Sequence, residues 1–244
     1  MPLLETVGAV GARGFGFQNS LVNIPNTDLQ VTSGLLFHVD ASTSYFSATP
    51  NTWYDMSSNR RHFTKFNSPT YVSNGTASYF TNFTSGYWTG VTGFMPTGTN
   101  ARTIFAFVTM PSTGASPLQH VFHYGNTTSG ESFGIVRDSG GSLSTHTWAG
   151  NPSFGAGLNN STTYMLATGR SGGTEYGWRN TSSYTTSSVG STANSPYINI
   201  GARISGAEEF NDGRIYMVAA YDRVLSNAEI TTIYNQYKSR FGLA

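Results

Sequence analysis

Apolar and polar side chains alternate along most of this chain in short runs, broken every ~8–12 residues by turn-forming Gly, Asn and Ser. The first clear run is Gly34–Asp40. Shorter ones follow at His62–Phe66, Thr70–Val72 and Ser78–Phe83. Arg102–Met110 is the strongest in mid-chain, with Ile104, Ala106 and Val108 opposite Phe105 and Phe107. Gln119–Tyr124, Ser132–Arg137 and Ser142–Trp148 read as three more strands. Tyr164–Thr168 and Glu175–Arg179 read as a pair joined around Gly172-Gly173. Tyr197–Ile200 leads into Arg214–Tyr221. There, strict alternation sets Ile215, Met217 and Ala219 on one face and Tyr216, Val218 and Ala220 on the other. Both faces are apolar, so this strand is expected to be covered on both sides. Gly213, in the Asn211-Asp212-Gly213 turn before it, is expected to supply a positive φ.

One stretch changes period. Ser226 is placed to cap a helix and Glu229 to close a capping box. Leu225 and Ile230 form a hydrophobic staple. Ile230, Ile233, Tyr234, Tyr237 and Phe241 then recur at helical spacing. Lys238 and Arg240 suit the negative end of the helix dipole, and Gly242 a left-handed stop. Many short strands and a single helix specify an all-β fold, a jelly-roll sandwich with one C-terminal helix. Residues 1–33 differ from the rest. Gly8, Gly11, Gly14 and Gly16 interrupt the few apolar side chains there, and no Gly-Lys-Ser/Thr follows to make a phosphate loop. They read as an extended arm for contact with other subunits, through Arg13, Gly14, Phe15 and Phe17. Residues 34–244 read as one domain.

Charged residues make up only 10% of the chain and the net charge is +1, which argues against nucleic acid or an anionic membrane as partner. Aromatic residues at 14% argue against disorder. With no cysteine, disulfides, iron–sulfur clusters and thiolate zinc sites are excluded. Neither a secretory signal nor an apolar run of membrane-spanning length is expected.

Candidate chemistry is sparse. His120 and His123 are three apart, which on a regular strand puts them on opposite faces and argues against a shared metal. His38, His62 and His146 are isolated in sequence. The carboxylates Glu131, Asp138, Glu175, Glu208, Glu209, Asp212 and Asp222 are scattered, with none of the spacings that place a hydrolytic pair on one strand. There is no Gly-x-Ser-x-Gly nucleophile elbow. No catalytic residue, metal or cofactor is therefore expected. Aromatics beside amides remain: Trp148 with Asn151, and Trp178 with Asn180, have the composition that stacks on a sugar and bonds its hydroxyls. Trp53 and Trp88 read as core residues.

Two separated stretches resemble a known family. Gly34-Leu35-Leu36-Phe37-His38-Val39-Asp40-Ala41, followed by Trp53-Tyr54-Asp55-Met56-Ser57-Ser58-Asn59, is similar to the opening of concanavalin A-like, laminin-G-like jelly-roll domains. The closing stretch from Phe210 to Tyr234, with Arg223, Leu225, Ser226, Glu229 and Ile230, is similar to the same family's last strand and helix. The resemblance implies a jelly roll. Among the family's lectins, glycosidases, adhesion modules and phage structural proteins, it looks most like the tailed-phage virion members. It implies a non-enzymatic structural protein of the virion surface, in the capsid or in a tail or fibre. Such a protein would be anchored by its arm to other virion subunits and be a homo-oligomer, with a trimer well suited to the arm. The alternatives are a lectin-like module for a host-surface glycan and, third, a glycan hydrolase. The catalytic signature of the family's glucanases is missing, and no acidic cluster matches its calcium site.

Overall fold

Arg102–Thr109, the most apolar alternation in the sequence, becomes β7, a central strand buried along its whole length. The computed structural model describes residues 24–42, 50–67, 69–84, 86–91, 93–113, 118–148, 150–187, 190, 198–203, 210 and 212–244. Sheet A runs β14 (Ser182–Ser187), β13 (Thr174–Arg179), β12 (Thr163–Ser171), β7, β16 (Arg214–Tyr221), β5 (Tyr79–Thr81) and β4 (Thr70–Val72), with β1 (Leu35–Asp40) also paired to β16. Sheet B runs β11 (Ser153–Gly157), β10 (Ser142–Thr145), β9 (Ser132–Arg137), β8 (Gln119–Gly125), β15 (Ile198–Ile200), β6 (Tyr87–Gly90), β3 (Phe63–Phe66) and β2 (Thr52–Trp53). Every strand pairing is antiparallel. The two sheets face each other across a core that includes Trp53, Phe63, Phe80, Trp88, Ile104, Val108, Phe122, Ile135 and Ile200. This is the jelly-roll sandwich expected from the sequence. Trp53 and Trp88 are core residues as read, with rings 5.8 Å apart.

The helix α1 (Asn227–Tyr237) covers the outer face of sheet A. Ser226 caps it, the reciprocal bonds with Glu229 are both present, and Leu225 and Ile230 are both buried beneath it. Removing the cap by Ser226→Ala is expected to cost about 1 kcal/mol, read as a lower urea midpoint at unchanged slope. At the other end Gly242 is left-handed (φ 68°), but the helix stops at Tyr237. Arg240 lies beyond it, and its guanidinium grips Asp40 through two charge-assisted bonds rather than sitting on the helix dipole.

Two expectations for the closing strand and its turn are corrected. A bulge between Ile215 and Met217 places Tyr216 and Met217 both on the helix side, while Ile215, Val218 and Ala220 enter the inter-sheet core. The expected grouping of Ile215 with Met217 and Ala219 is thereby corrected: one inserted residue reverses the face of everything after it. Gly213 is not left-handed either. A Cβ there would lie 2.3 Å from the Phe210 ring, so close packing, not a positive φ, requires glycine.

The Trp53–Asn59 motif acquires a mechanism. Asp55 is fully buried; it accepts the backbone amides of His38, Ser57 and Arg61 and the Ser57 hydroxyl. The Asn59 amide donates to the carbonyls of Leu35 and Leu36. The motif thus ties this loop to β1.

Residues 24–33, read from sequence as part of the arm, lie against the domain. Leu29 and Val31 are buried with the helix cluster, the Tyr221 hydroxyl donates to the Val31 carbonyl, and Gln236 bridges Asp28 and Gln30. The arm residues Arg13, Gly14, Phe15 and Phe17 lie outside the described residues.

Candidate functional site

β13 carries Tyr176 and Trp178 at i and i+2, so both rings project from the outer face of sheet A. The two rings are stacked, with centroids 6.0 Å apart and planes nearly parallel, at 12°. Opposite them, the segment entering α1 brings Arg223, Ser226, Asn227 and Glu229, and β14 contributes Ser183 and Thr185. Together these line an open groove of about 460 Å³. The Trp178 indole donates to the Asn227 side-chain carbonyl at 2.8 Å, and the Asn227 amide reaches the Ser183 hydroxyl at 3.4 Å. Arg223 holds Glu229 through bonds of 2.9 and 2.6 Å. That pairing lowers the Glu229 carboxyl to about 2, with Ser226 assisting, so it stays an acceptor at any ordinary pH. The groove therefore combines an aromatic floor with hydroxyl, amide and fixed charged groups.

Trp178 itself is only 2% exposed, so it forms the floor of the groove and offers no free face. Its expected companion Asn180 is elsewhere. Asn180 is the left-handed residue (φ 56°) of the β13–β14 turn, and its backbone and side chain both bond to the backbone of Met165. The residues that sequence reading missed are Tyr176 and Asn227. The aromatic pair at i, i+2 was a readable signal; Asn227 reaches the groove only through the packing of α1.

The second expected pair, Trp148 and Asn151, lies at the outer face of sheet B. Asn151 uses its side-chain carbonyl to accept the Thr147 amide, and Trp148 is left-handed (φ 68°), a costly conformation for a bulky residue. One face of the Trp148 ring is covered by the Arg203 guanidinium, 4.7 Å from its centroid. Beneath them is a cluster the sequence did not suggest. A bulge between His120 and Phe122 sets His120 opposite Val136 and His123 opposite Gly134, two positions on the same side of β9. His120 and His123, expected on opposite faces, therefore share one. His146, expected to be isolated, joins them: ring centroids are 5.4 Å (His120–His123), 4.6 Å (His120–His146) and 4.7 Å (His123–His146) apart. All three are buried. His146 Nδ1 and His123 Nε2 share a hydrogen bond of 2.8 Å. Burial lowers the His146 imidazole to about 4, with Arg203 contributing, and holds His123 well below its ordinary range, aided by His120, His146 and Arg203. The His123 and His146 rings are neutral at neutral pH. Among the described residues no group of three His, Cys, Asp or Glu side chains is arranged to hold a metal ion.

A larger recess of about 740 Å³ is lined by Asn26, Asp28, Asp40, Ser42, Tyr237 and Arg240, among others. Two carboxylates meet here, which the sequence did not place together. Asp40 is occupied by Arg240 and the Ser42 amide, and Asp28 accepts the Tyr237 hydroxyl at 2.6 Å. A glycosidic hydrolase needs one carboxyl that keeps its proton and a second free to attack or to activate water. Both Asp40 oxygens are bonded to Arg240, so Asp40 is not free for the second role.

No protein-family model matches the sequence, and no curated protein matches it. Solved structures do match the fold. Domain 4 of a GH43 extracellular arabinanase from Geobacillus stearothermophilus, in complex with arabinotriose, superposes with a TM-score of 0.64 at 11% identity, covering 84% of this chain and 100% of that one. The binding domain of Paraclostridial Mosquitocidal Protein 1 gives 0.63 at 12% identity, covering 84% of this chain and 52% of that one. Trypanosoma rangeli sialidase in complex with sialic acid gives 0.62 at 15% identity, covering 91% of this chain. The chain spans 37% of the sialidase's length. Fold and topology thus define a jelly-roll β-sandwich module.

Proposed function

We propose that this chain is a non-catalytic glycan-binding module, with the groove between β13–β14 and the start of α1 as its site. The observation that carries the reading is the half-buried Tyr176 ring, stacked on buried Trp178 and walled by the Ser183 and Thr185 hydroxyls, the Asn227 amide and the Arg223–Glu229 pair. A sugar ring has apolar C–H faces and a rim of hydroxyls, and this groove offers a surface for each. The arabinanase domain, which is bound to arabinotriose in its solved structure, supports the reading by sharing the sandwich.

Tyr176 is the residue to vary. It is half-buried and lines the groove, whereas removing the buried Trp178 ring opens a core cavity and obscures any binding effect. A glycan array on the full chain is expected to give specific hits, and Tyr176→Ala is expected to weaken the best of them by ~10-fold or more by calorimetry, with the thermal midpoint held within a few degrees. An array without hits, or unchanged affinity in the variant, overturns the proposal.

The virion-component reading rests on the sequence resemblance, above all Trp53-Tyr54-Asp55-Met56-Ser57 and the glycine-rich first residues. It is compatible with glycan binding. Its test is mass spectrometry of purified particles, where absence of the chain excludes it.

A further inference from the structure

At the rim of sheet B, a recess of about 270 Å³ is lined by Arg61, His62, Phe63, Val91, Phe94 and Ile198, among others. Its chemistry differs from that of the groove. Arg170, Arg223 and Arg240 pair with Glu175, Glu229 and Asp40. Arg60, beside the recess, donates to the carbonyls of Pro25, Ile24 and Asp55 and to the Asn26 side chain. Arg61 is not matched in this way. Its guanidinium lies 3.9 Å over the centroid of Phe94 and makes one long bond, 3.3 Å, to the Leu36 carbonyl. No carboxylate of the described residues forms an ion pair with it. The nearest one, Asp55, is already held by the amides of His38, Ser57 and Arg61 and by the Ser57 hydroxyl. A guanidinium has five N–H donors in a planar fork, the shape that takes a carboxylate two oxygens at a time.

His62 adds a second donor. Its Nδ1 accepts the Asp55 amide at 3.1 Å, which leaves Nε2 as the protonated nitrogen of the neutral ring. The remaining walls are apolar: Phe63 and Ile198 are fully buried, and Val91 at the lip is 74% exposed. Gly90 contributes no side chain; a Cβ there would lie 3.0 Å from the Phe63 ring.

We infer that this recess binds a single acidic sugar residue of the uronic-acid class, its carboxylate on Arg61 and its C–H face against Val91 and Phe94. The carboxylate follows from the unmatched guanidinium. The choice of a sugar over another small carboxylate rests on the proposed glycan-binding function. The volume suits one ring, so the site is expected to read a terminal residue and not a chain interior.

The test is titration of the full chain, followed by NMR chemical shifts, with methyl β-glucuronide, methyl β-glucoside and benzoate. The glucuronide is expected to bind at least ~10-fold more tightly than the glucoside and to weaken with added salt. Arg61→Gln is expected to abolish that preference. Val91→Asp, at an exposed position, is expected to do the same by placing a carboxylate at the lip, which keeps the test valid if Arg61→Gln fails to fold. Tyr176→Ala is expected to leave the preference intact, so failure of the groove and failure of this site are read separately. Equal binding of glucuronide and glucoside, or a preference that survives Val91→Asp, overturns the site. Benzoate binding as tightly as the glucuronide overturns the sugar assignment.

Discussion

Glu175→Ala is expected to cost the fold about 3–5 kcal/mol. Arg170 and Glu175 face each other across the β12–β13 hairpin, and both side chains are fully buried. Their closest contacts are 2.5 and 2.6 Å. Arg102 lies opposite Arg170 on β7, and the two guanidiniums flank the Phe133 ring at 5.3 and 5.2 Å. Arg102 is bonded mainly to neutral groups, the Tyr124 hydroxyl and the carbonyls of Pro96 and Asn100 among them. Removing Glu175 would leave two buried cations without the carboxylate that answers them. The check is a urea transition on the purified domain, with the midpoint falling and the slope unchanged. The paired replacement Arg170→Met with Glu175→Leu is expected to recover most of the loss, because the cost arises from the uncompensated charge. A loss under ~1 kcal/mol in the single variant would show that water reaches this interior.

The second large effect is acid sensitivity. His146 is held at about 4 in the folded chain, against an ordinary value of 6.5, and His123 is also held well below its ordinary range by burial, with two other imidazoles and Arg203 beside it. His38 is lowered as well, chiefly by burial. A folded value below the unfolded one means that the unfolded chain takes up more protons over the interval between them. Stability is therefore full above ~6.5 and falls as the pH drops from there toward ~4. For His146 alone the displacement corresponds to about 3 kcal/mol. The urea midpoint is expected to decline over this interval, before the carboxylates titrate. His146→Gln is expected to flatten the decline at some cost at neutral pH. Trp148 stands over the cluster, 5.5 Å from His146 between ring centroids, so its fluorescence reports the same transition. A midpoint independent of pH from 7 to 5 would contradict this account of the cluster.

Much of the fold was legible in the residues. The capping box at Ser226 and Glu229, the Gly172-Gly173 turn and the strands Ser132–Arg137 and Arg214–Tyr221 all stand where local chemistry puts them. The candidate sites were legible only in part. Trp178 was found because tryptophan beside amides is conspicuous, but burial turned it from a platform into a floor. Its neighbour Tyr176 follows from strand periodicity once the face of the sheet is known. Arg61 gave no sequence signal, because its place over the Phe94 ring in a recess of sheet B is set only in three dimensions.

The sequence by itself determined the all-β class, the single helix with its cap, and the closing strand buried on both faces. These follow from side-chain periodicity and from turn and cap chemistry, which act over a few residues. Tertiary structure decided what those elements bring together. Two bulges, at His120–Phe122 and Ile215–Met217, arise from pairing with distant strands and reverse the face of the residues beyond them. The first puts His120 and His123, which strict alternation would separate, on one face, where His146 joins them. The second sets Tyr216 and Met217 side by side under the helix. A strand's period of two is local, but where it slips is fixed by its partners, and the faces that carry chemistry depend on the slip.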